Sequence, residues 1–258
     1  MNFDTMIFEL QSPTVFGEKH IMGSIFILIT IAILLIFLLK VLKISNHRKV
    51  LKITATFLIL LELTKYTEYI ISHGSFPEMY IPMQLCSFSL YLMPLVAFTK
   101  PEISKKFMPI AYSIGLLAGI IVLIYPATVL GGEYSWFPLK NNIVPIISFF
   151  YHGTMIFFSL YLVLSKLYRP SFDEYPKVLI SLLFFAGLAI ITNLIFQTDM
   201  MFLNTASGSP LQFLLTDYGR IPYMLSMIIL AAILLTLPVI PFGVRRVIFK
   251  FKRAYSKD

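Results

Sequence analysis

The chain holds one cysteine, Cys86, and four histidines, of which His152 lies deep in an apolar stretch. A Cys and a His brought together are sufficient for thiol chemistry. The imidazole takes the thiol proton, the thiolate attacks a carbonyl carbon, and the imidazole then activates a second nucleophile. A single Cys forms no internal disulfide, so Cys86 is either a small hydrophobe or a reactive thiol. The other polar residues set in apolar sequence are Glu62, Lys65, Gln84, Asn193, Arg220 and His20. Glu62, Asn193 or Arg220 would orient the imidazole or stabilise an oxyanion, and Lys65 would hold a polar headgroup. Other chemistries lack residues: HExxH, CxxC, a Gly-rich phosphate loop, GxSxG and DxD are all missing. His20, His47 and His73 fall near span ends on both sides, which argues against a four-His metal site, and no cofactor is implied.

The elements that must position these residues are membrane helices. The chain of 258 residues is 58% hydrophobic and 13% charged, with a mean hydropathy of +0.83, far from a soluble domain. Its 24 Phe, 14 Tyr and 12 Met suit a lipid-facing surface and exclude disordered, collagenous and disulfide-stapled classes. A helix needs about 20 apolar residues to cross a bilayer. Seven such runs are predicted, at roughly 21–42, 50–72, 80–98, 108–128, 143–165, 177–197 and 221–244. The acidic, mixed start MNFDTMIFELQS has no basic n-region, so the first span reads as a retained signal anchor.

The net charge of +8 is then a topological label. With the N-terminus outside, 17 of the 21 basic residues face the cytoplasm, among them Arg48, Lys105, Arg169 and the basic tail 245–258. Asp4, Glu9, Glu18, Glu78, Glu133, Asp199 and Asp217 lie outside. Positive charge marks the cytoplasmic side of membrane proteins, so the surplus is no evidence for nucleic acid. The expected fold is one all-α membrane domain over 1–258, with seven transmembrane helices, an outside N-terminus and a cytoplasmic C-terminus. It has an outer N-terminal segment over 1–20 and an ordered outer loop over 198–220. Trp136 and the tyrosines near span ends read as interfacial anchors.

Depth gathers the polar residues. At about 1.5 Å per residue, Cys86 lies about 9 Å and His152 about 14 Å below the outer end of their spans. Glu62, Lys65 and Glu68 sit in the outer half of the second span, and Asn193 lies one turn from the outer end of the sixth. Helices of alternating direction therefore bring these groups to one level, a polar chamber near the outer leaflet. Intramembrane ionisable residues are functional hypotheses by default. Pro82 is placed for the first turn of the third helix, which would set Cys86 near a helix N-terminus where a thiolate is favoured. Ser148, one turn before His152, supplies the imidazole with a partner. Plainer roles stand beside these: Glu62 and Lys65, at i and i+3, pair with each other, and Gly115 and Gly119 serve close helix packing.

The stretch Ile81-Pro82-Met83-Gln84-Leu85-Cys86-Ser87 resembles the Leu-Pro-x-His-Leu-Cys signature of YwaF-like bacterial integral membrane proteins, related to eukaryotic transmembrane protein 164. Phe16-Gly17-Glu18-Lys19-His20, Tyr151-His152-Gly153, Asn193-Leu194-Ile195-Phe196, Met201-Phe202-Leu203-Asn204, Ser209-Pro210-Leu211 and Ile221-Pro222-Tyr223 agree in order. Gln84 departs from the pattern by replacing a His, and Arg220 by standing where Trp often precedes Pro-x-Tyr. The resemblance implies a Cys-dependent acyltransferase that moves a fatty acyl chain between a phospholipid and a lysophospholipid, with Cys86 active and His152 its partner, in a bacterial plasma membrane. Two alternatives belong to other classes. One is a lipid or small-solute transporter or binding protein without covalent chemistry, and the other is a structural membrane subunit. Helices broken by Pro or Gly at mid-membrane in matched halves would favour transport, and no internal repeat is evident.

Overall fold

The computed structural model describes residues 18–76, 78–124, 143–205 and 211–244. The segment before residue 18, Trp136, the end of the fourth expected span, residues 206–210 of the outer loop and the basic tail 245–258 lie outside the described residues. Among the described residues there is no strand. The helices are α1 (Glu18–Ile36, continued by a π-helical turn Phe37–Val41), α2 (His47–His73), α3 (Ser89–Phe98), α4 (Pro101–Ile124), α5 (Ile143–Leu164), α6 (Tyr175–Phe196), α7 (Gln212–Tyr218) and α8 (Arg220–Leu234).

Local chemistry sets several boundaries. Asn46 caps α2 by accepting the Lys49 N–H at 3.2 Å. Gly74 ends the same helix at φ 75°, a left-handed conformation that glycine adopts without strain. Pro176 stands in the first turn of α6, where its missing N–H costs nothing.

Four helical stretches are long and apolar enough to cross a membrane: His20–Val41, Pro101–Ile124, Ile143–Leu164 and Phe172–Phe196. The chain is a membrane protein. The expected second span is a helix of 27 residues, but Glu62, Lys65 and Glu68 interrupt its apolar surface. The third and seventh expected spans differ from a full-length helix. After a 3-10 turn Glu78–Tyr80 at its start, the third is helical again only from Cys86, and α8 stops at Leu234. In the third, residues 81–85 are held in turns by Met83 N–H on the Ile81 carbonyl (2.7 Å) and Ser87 N–H on the Gln84 carbonyl (2.9 Å). Pro82 thus lies four residues ahead of the helical turn it was expected to begin. In the seventh, a turn at 235–239 contains Pro238, which supplies no N–H and disfavours helix at the residue before it. The Pro238 carbonyl instead accepts the Tyr112 hydroxyl at 2.8 Å.

Helices α4 and α5 form the centre, with 78% and 72% of their spans buried. Helix α5 packs against α1, α2 and α4, while α4 also meets α3 and α6. Only 22% of the α1 span is buried, and its exposed Ile21, Ile25, Ile29 and Ile33 present an apolar face to lipid. Gly115 and Gly119 allow the central contact: a Cβ on Gly119 would lie 2.6 Å from Ile156 Cγ1 and 2.9 Å from the His152 carbonyl oxygen. Gly153 does the same for α1, since a Cβ there would meet Ile27 Cγ2 at 2.6 Å.

Candidate active site

The non-helical segment 81–85 needs partners for its backbone, and such segments persist at membrane depth only where protein or a cavity receives them. Here it borders a cavity of about 680 Å³. Cys86 opens a single 3-10 turn, Cys86–Phe88, that runs into α3, so the thiol does stand at a helix N-terminus. It is partly exposed, and the cavity is what it faces. Helix α5 contributes Ser148, Tyr151 and His152 to the same walls, α2 contributes Glu62 and Lys65, and residues 199–203 form a further side.

His152 is 2% exposed. Its Nδ1 lies 2.8 Å from the Ser148 carbonyl oxygen and 3.3 Å from the Ser148 hydroxyl. A carbonyl oxygen only accepts, so Nδ1 carries the proton and Nε2 is left with a bare lone pair. Nε2 is buried with no hydrogen-bond partner among the described residues, and the thiol of Cys86 is not within hydrogen-bond reach of it. The two groups share a cavity without touching. The Tyr151 hydroxyl is likewise buried without a partner, its ring edge-on to His152 at 5.3 Å between centroids.

Glu62 and Lys65 form an ion pair at 2.7 Å. Lys65 is boxed further by the rings of Tyr66 and Tyr80, at 5.2 and 5.0 Å from its Nζ. Tyr66 in turn donates to the Tyr80 carbonyl at 3.0 Å, fixing that box. The pair predicted from i, i+3 spacing therefore exists, and it is also part of the cavity wall.

Gln84 neither binds a proton nor faces the imidazole. Its side-chain amide accepts the Met201 N–H at 2.7 Å and donates to the Asp199 carbonyl at 3.2 Å. Asn193 clasps the neighbouring residue in the same way, accepting the Met200 N–H at 2.6 Å and donating to the Met200 carbonyl at 3.1 Å. Two amides from distant elements thus satisfy the backbone of 199–201, a side of the cavity where Met201 and Phe202 adopt φ of 58° and 53°. Asp199 takes the Asn204 N–H at 2.8 Å and the Thr205 hydroxyl, and Tyr223 donates to the Phe202 and Thr205 carbonyls at 2.9 and 3.0 Å.

The structure accordingly brings Cys86, His152, Gln84, Glu62 and Lys65 to one cavity and leaves three predicted residues away from it. Asn193 is the anchor just described. Arg220 donates to the Asn204 side chain at 2.5 Å, on the far side of the same loop. His20 is engaged at 2.7 Å by the Leu123 carbonyl near the end of α4. None of these three lines the cavity, so the expected oxyanion or imidazole contacts of Asn193 and Arg220 give way to loop anchoring. Sequence reasoning passed over Tyr151. Its signal was its depth in the fifth span, where a phenol needs a partner. Among the described residues no three His, Cys, Asp or Glu side chains gather as a metal site.

No curated protein and no solved structure matches the chain. Residues 15–239 match the profile of the TMEM164 family, and over that span, most of its length, the chain belongs to the TMEM164 family.

Proposed function

We propose that the protein is a multi-pass acyltransferase that moves a fatty acyl chain from a phospholipid to a lysophospholipid through a thioester on Cys86. One observation carries this reading. Cys86, the chain's single cysteine, and His152, whose Nε2 is buried without a partner among the described residues, line one cavity with a largely apolar lining and an ion pair in its wall. In the reaction His152 takes the thiol proton as Sγ attacks the ester carbonyl. The tetrahedral adduct collapses, the lysolipid oxygen leaves with the proton from His152, and the acyl chain stays on sulfur. An acceptor hydroxyl then gives its proton to Nε2 and attacks the thioester, and the thiolate is reprotonated. Lys65, tied to Glu62, is the group for a phosphate headgroup. The residues themselves supply every proton transfer, so no cofactor is needed.

The seven-span layout belongs to the same proposal. Helices α1, α2, α4, α5 and α6 are full crossings, and α3 and α8 are short helices completed by residues 81–85 and by the chain after the turn at 235–239. The N-terminus lies outside and the C-terminus in the cytoplasm of a bacterial plasma membrane, supported by the basic residues that collect on one side.

The test is to incubate the purified protein in nanodiscs with a diacyl phospholipid and a labelled lysophospholipid, and to measure intact protein mass and label transfer. An acyl adduct on Cys86, released by neutral hydroxylamine, is expected, and Cys86→Ser should lose both adduct and transfer. No adduct, together with unchanged lipid turnover in Cys86→Ser, would sink the enzyme. The two interrupted spans also favour a second reading, lipid or solute transport, because broken helices commonly build transport sites. That reading requires Cys86→Ser to keep full function.

A further inference from the structure

We infer that the Tyr151 hydroxyl is the hydrogen-bond donor to the carbonyl oxygen of the acyl donor, a catalytic contact that deepens the acyl-transfer reading and rests on it. Tyr151 is 5% exposed, its hydroxyl has no partner among the described residues, and the residue lines the cavity with Cys86 and His152. A buried hydroxyl without a partner carries the full cost of its lost hydration. An occupant of the cavity that offers an acceptor removes that cost.

The unpaired groups differ in kind, and this defines the occupant. His152 Nε2 is an acceptor awaiting a proton and Tyr151 is a donor awaiting a lone pair. A thiol meeting an ester satisfies both: the S–H supplies the proton and the carbonyl oxygen supplies the lone pair. When Sγ bonds to the carbonyl carbon, the π pair moves to oxygen, and the Tyr151 O–H faces the charge that develops there. When the adduct collapses, that pair re-forms the carbonyl and the alkoxide leaves with the proton held by His152.

Several of the other donors around the cavity are committed. The Ser87 N–H, next to the nucleophile, bonds the Gln84 carbonyl. The Met200 and Met201 N–H groups are taken by Asn193 and Gln84, and one of the two Gln84 amide N–H bonds goes to the Asp199 carbonyl. Lys65 keeps spare N–H bonds but is drawn to Glu62 and to two aromatic rings. Hydroxyls of Tyr80, Ser87 and Ser148 also line the cavity, but among the described lining residues Tyr151 is the one whose hydroxyl is fully buried without a partner.

The experiment compares two reactions of Cys86 in nanodiscs, acylation by a diacyl phospholipid and alkylation by an apolar iodoacetamide, each followed by intact mass in single-turnover form. Alkylation displaces iodide at a saturated carbon and develops no oxyanion, so it reports on the thiol and His152 alone. In Tyr151→Phe the acylation rate should fall on the order of 10²-fold, with alkylation unchanged and with the donor concentration for half-maximal rate little altered. Wild-type acylation in Tyr151→Phe would overturn the inference. A parallel fall of both reactions would also overturn it, by showing that the hydroxyl only maintains the site. If the wild-type protein alkylates but never acylates, the acyl-transfer reading itself fails and takes this inference with it.

Discussion

Helix α5 carries one tyrosine near its middle and another near its C-terminal end, and the two live differently. Tyr161 is completely buried, and its hydroxyl is hydrogen-bonded to Nδ1 of His47 across the contact with α2, at 2.9 Å. Tyr151, about three turns earlier on the helix and in the cavity lining, has a buried hydroxyl with no partner among the described residues. Other polar groups toward the Tyr161 end are paired as well: Arg48 donates to the Ala97 carbonyl at 3.3 Å and Ser104 to the Val96 carbonyl at 2.6 Å. The cavity end keeps an unpaired donor and an unpaired acceptor beside a thiol. Unpaired Ser113 and Ser159 hydroxyls also occur, but neither lines the cavity. Burial without partners is expensive in a membrane. Tyr161 resolves that cost internally, whereas a group that meets a ligand leaves it for the ligand to resolve.

The sharpest way to break the comparison is to exchange the two histidines. His152→Gln removes the bare acceptor while keeping a polar side chain, and acylation of Cys86 should fall between about 10² and 10⁴-fold, the usual worth of a general base. His47→Gln, at the closed end, should leave the acylation rate near wild type. Single-turnover acylation of both variants decides it. Equal losses would mean that the cavity is not the site and that the unpaired imidazole is incidental.

The wall of the cavity offers an intermediate effect. Gln84→Ala strips partners from the buried Met201 N–H and Asp199 carbonyl, and should cost about 1–3 kcal/mol. Thermal unfolding in detergent, with Gln84→Glu beside it, measures this. Glu keeps the acceptor for Met201 but offers Asp199 no donor, so its stability should lie between wild type and Ala. A Gln84→Ala protein of unchanged stability would show that the loop at 199–203 does not depend on the clasp.

Much of this arrangement was legible in the residues. The apolar runs of α1, α4, α5 and α6 correspond to helices long enough to span, because each is continuously apolar over the length a crossing needs. Counting depth along alternating helices placed Cys86, His152, Glu62 and Lys65 on one cavity, and the i, i+3 spacing of Glu62 and Lys65 matched their ion pair. What escaped depends on long-range bonds. Residues 81–85 are as apolar as a helix, yet their side chain Gln84 is engaged by backbone 115 and 117 positions away, and no periodicity encodes that. Asn193 and Arg220 were read as groups of the same chamber but bond the loop instead, since a polar residue's position along a helix does not reveal which way it points. Tyr151 looked like one more aromatic because its distinction is a missing partner, visible only once all its neighbours are in place.

The smallest effect tests the closed end directly. Tyr161→Phe deletes one hydroxyl and leaves the ring packed against Phe157, 5.7 Å between centroids. Hydrogen bonds between membrane helices are worth about 0.6 kcal/mol on average and rarely exceed about 1.7, because the separated helices find other partners. Tyr161→Phe should therefore lower stability by that small amount, measured by thermal unfolding in detergent, and leave Cys86 acylation unchanged. The same substitution at Tyr151 should do the reverse, since removing an unpaired hydroxyl takes away a burial cost while stripping the carbonyl of its donor. Opposite signs from one chemical change at two sites on one helix are what a division between a holding end and a reacting end requires. If both variants lost stability alike and kept their rates, the Tyr151 hydroxyl would have a partner in the membrane, and the distinction between the two ends would collapse.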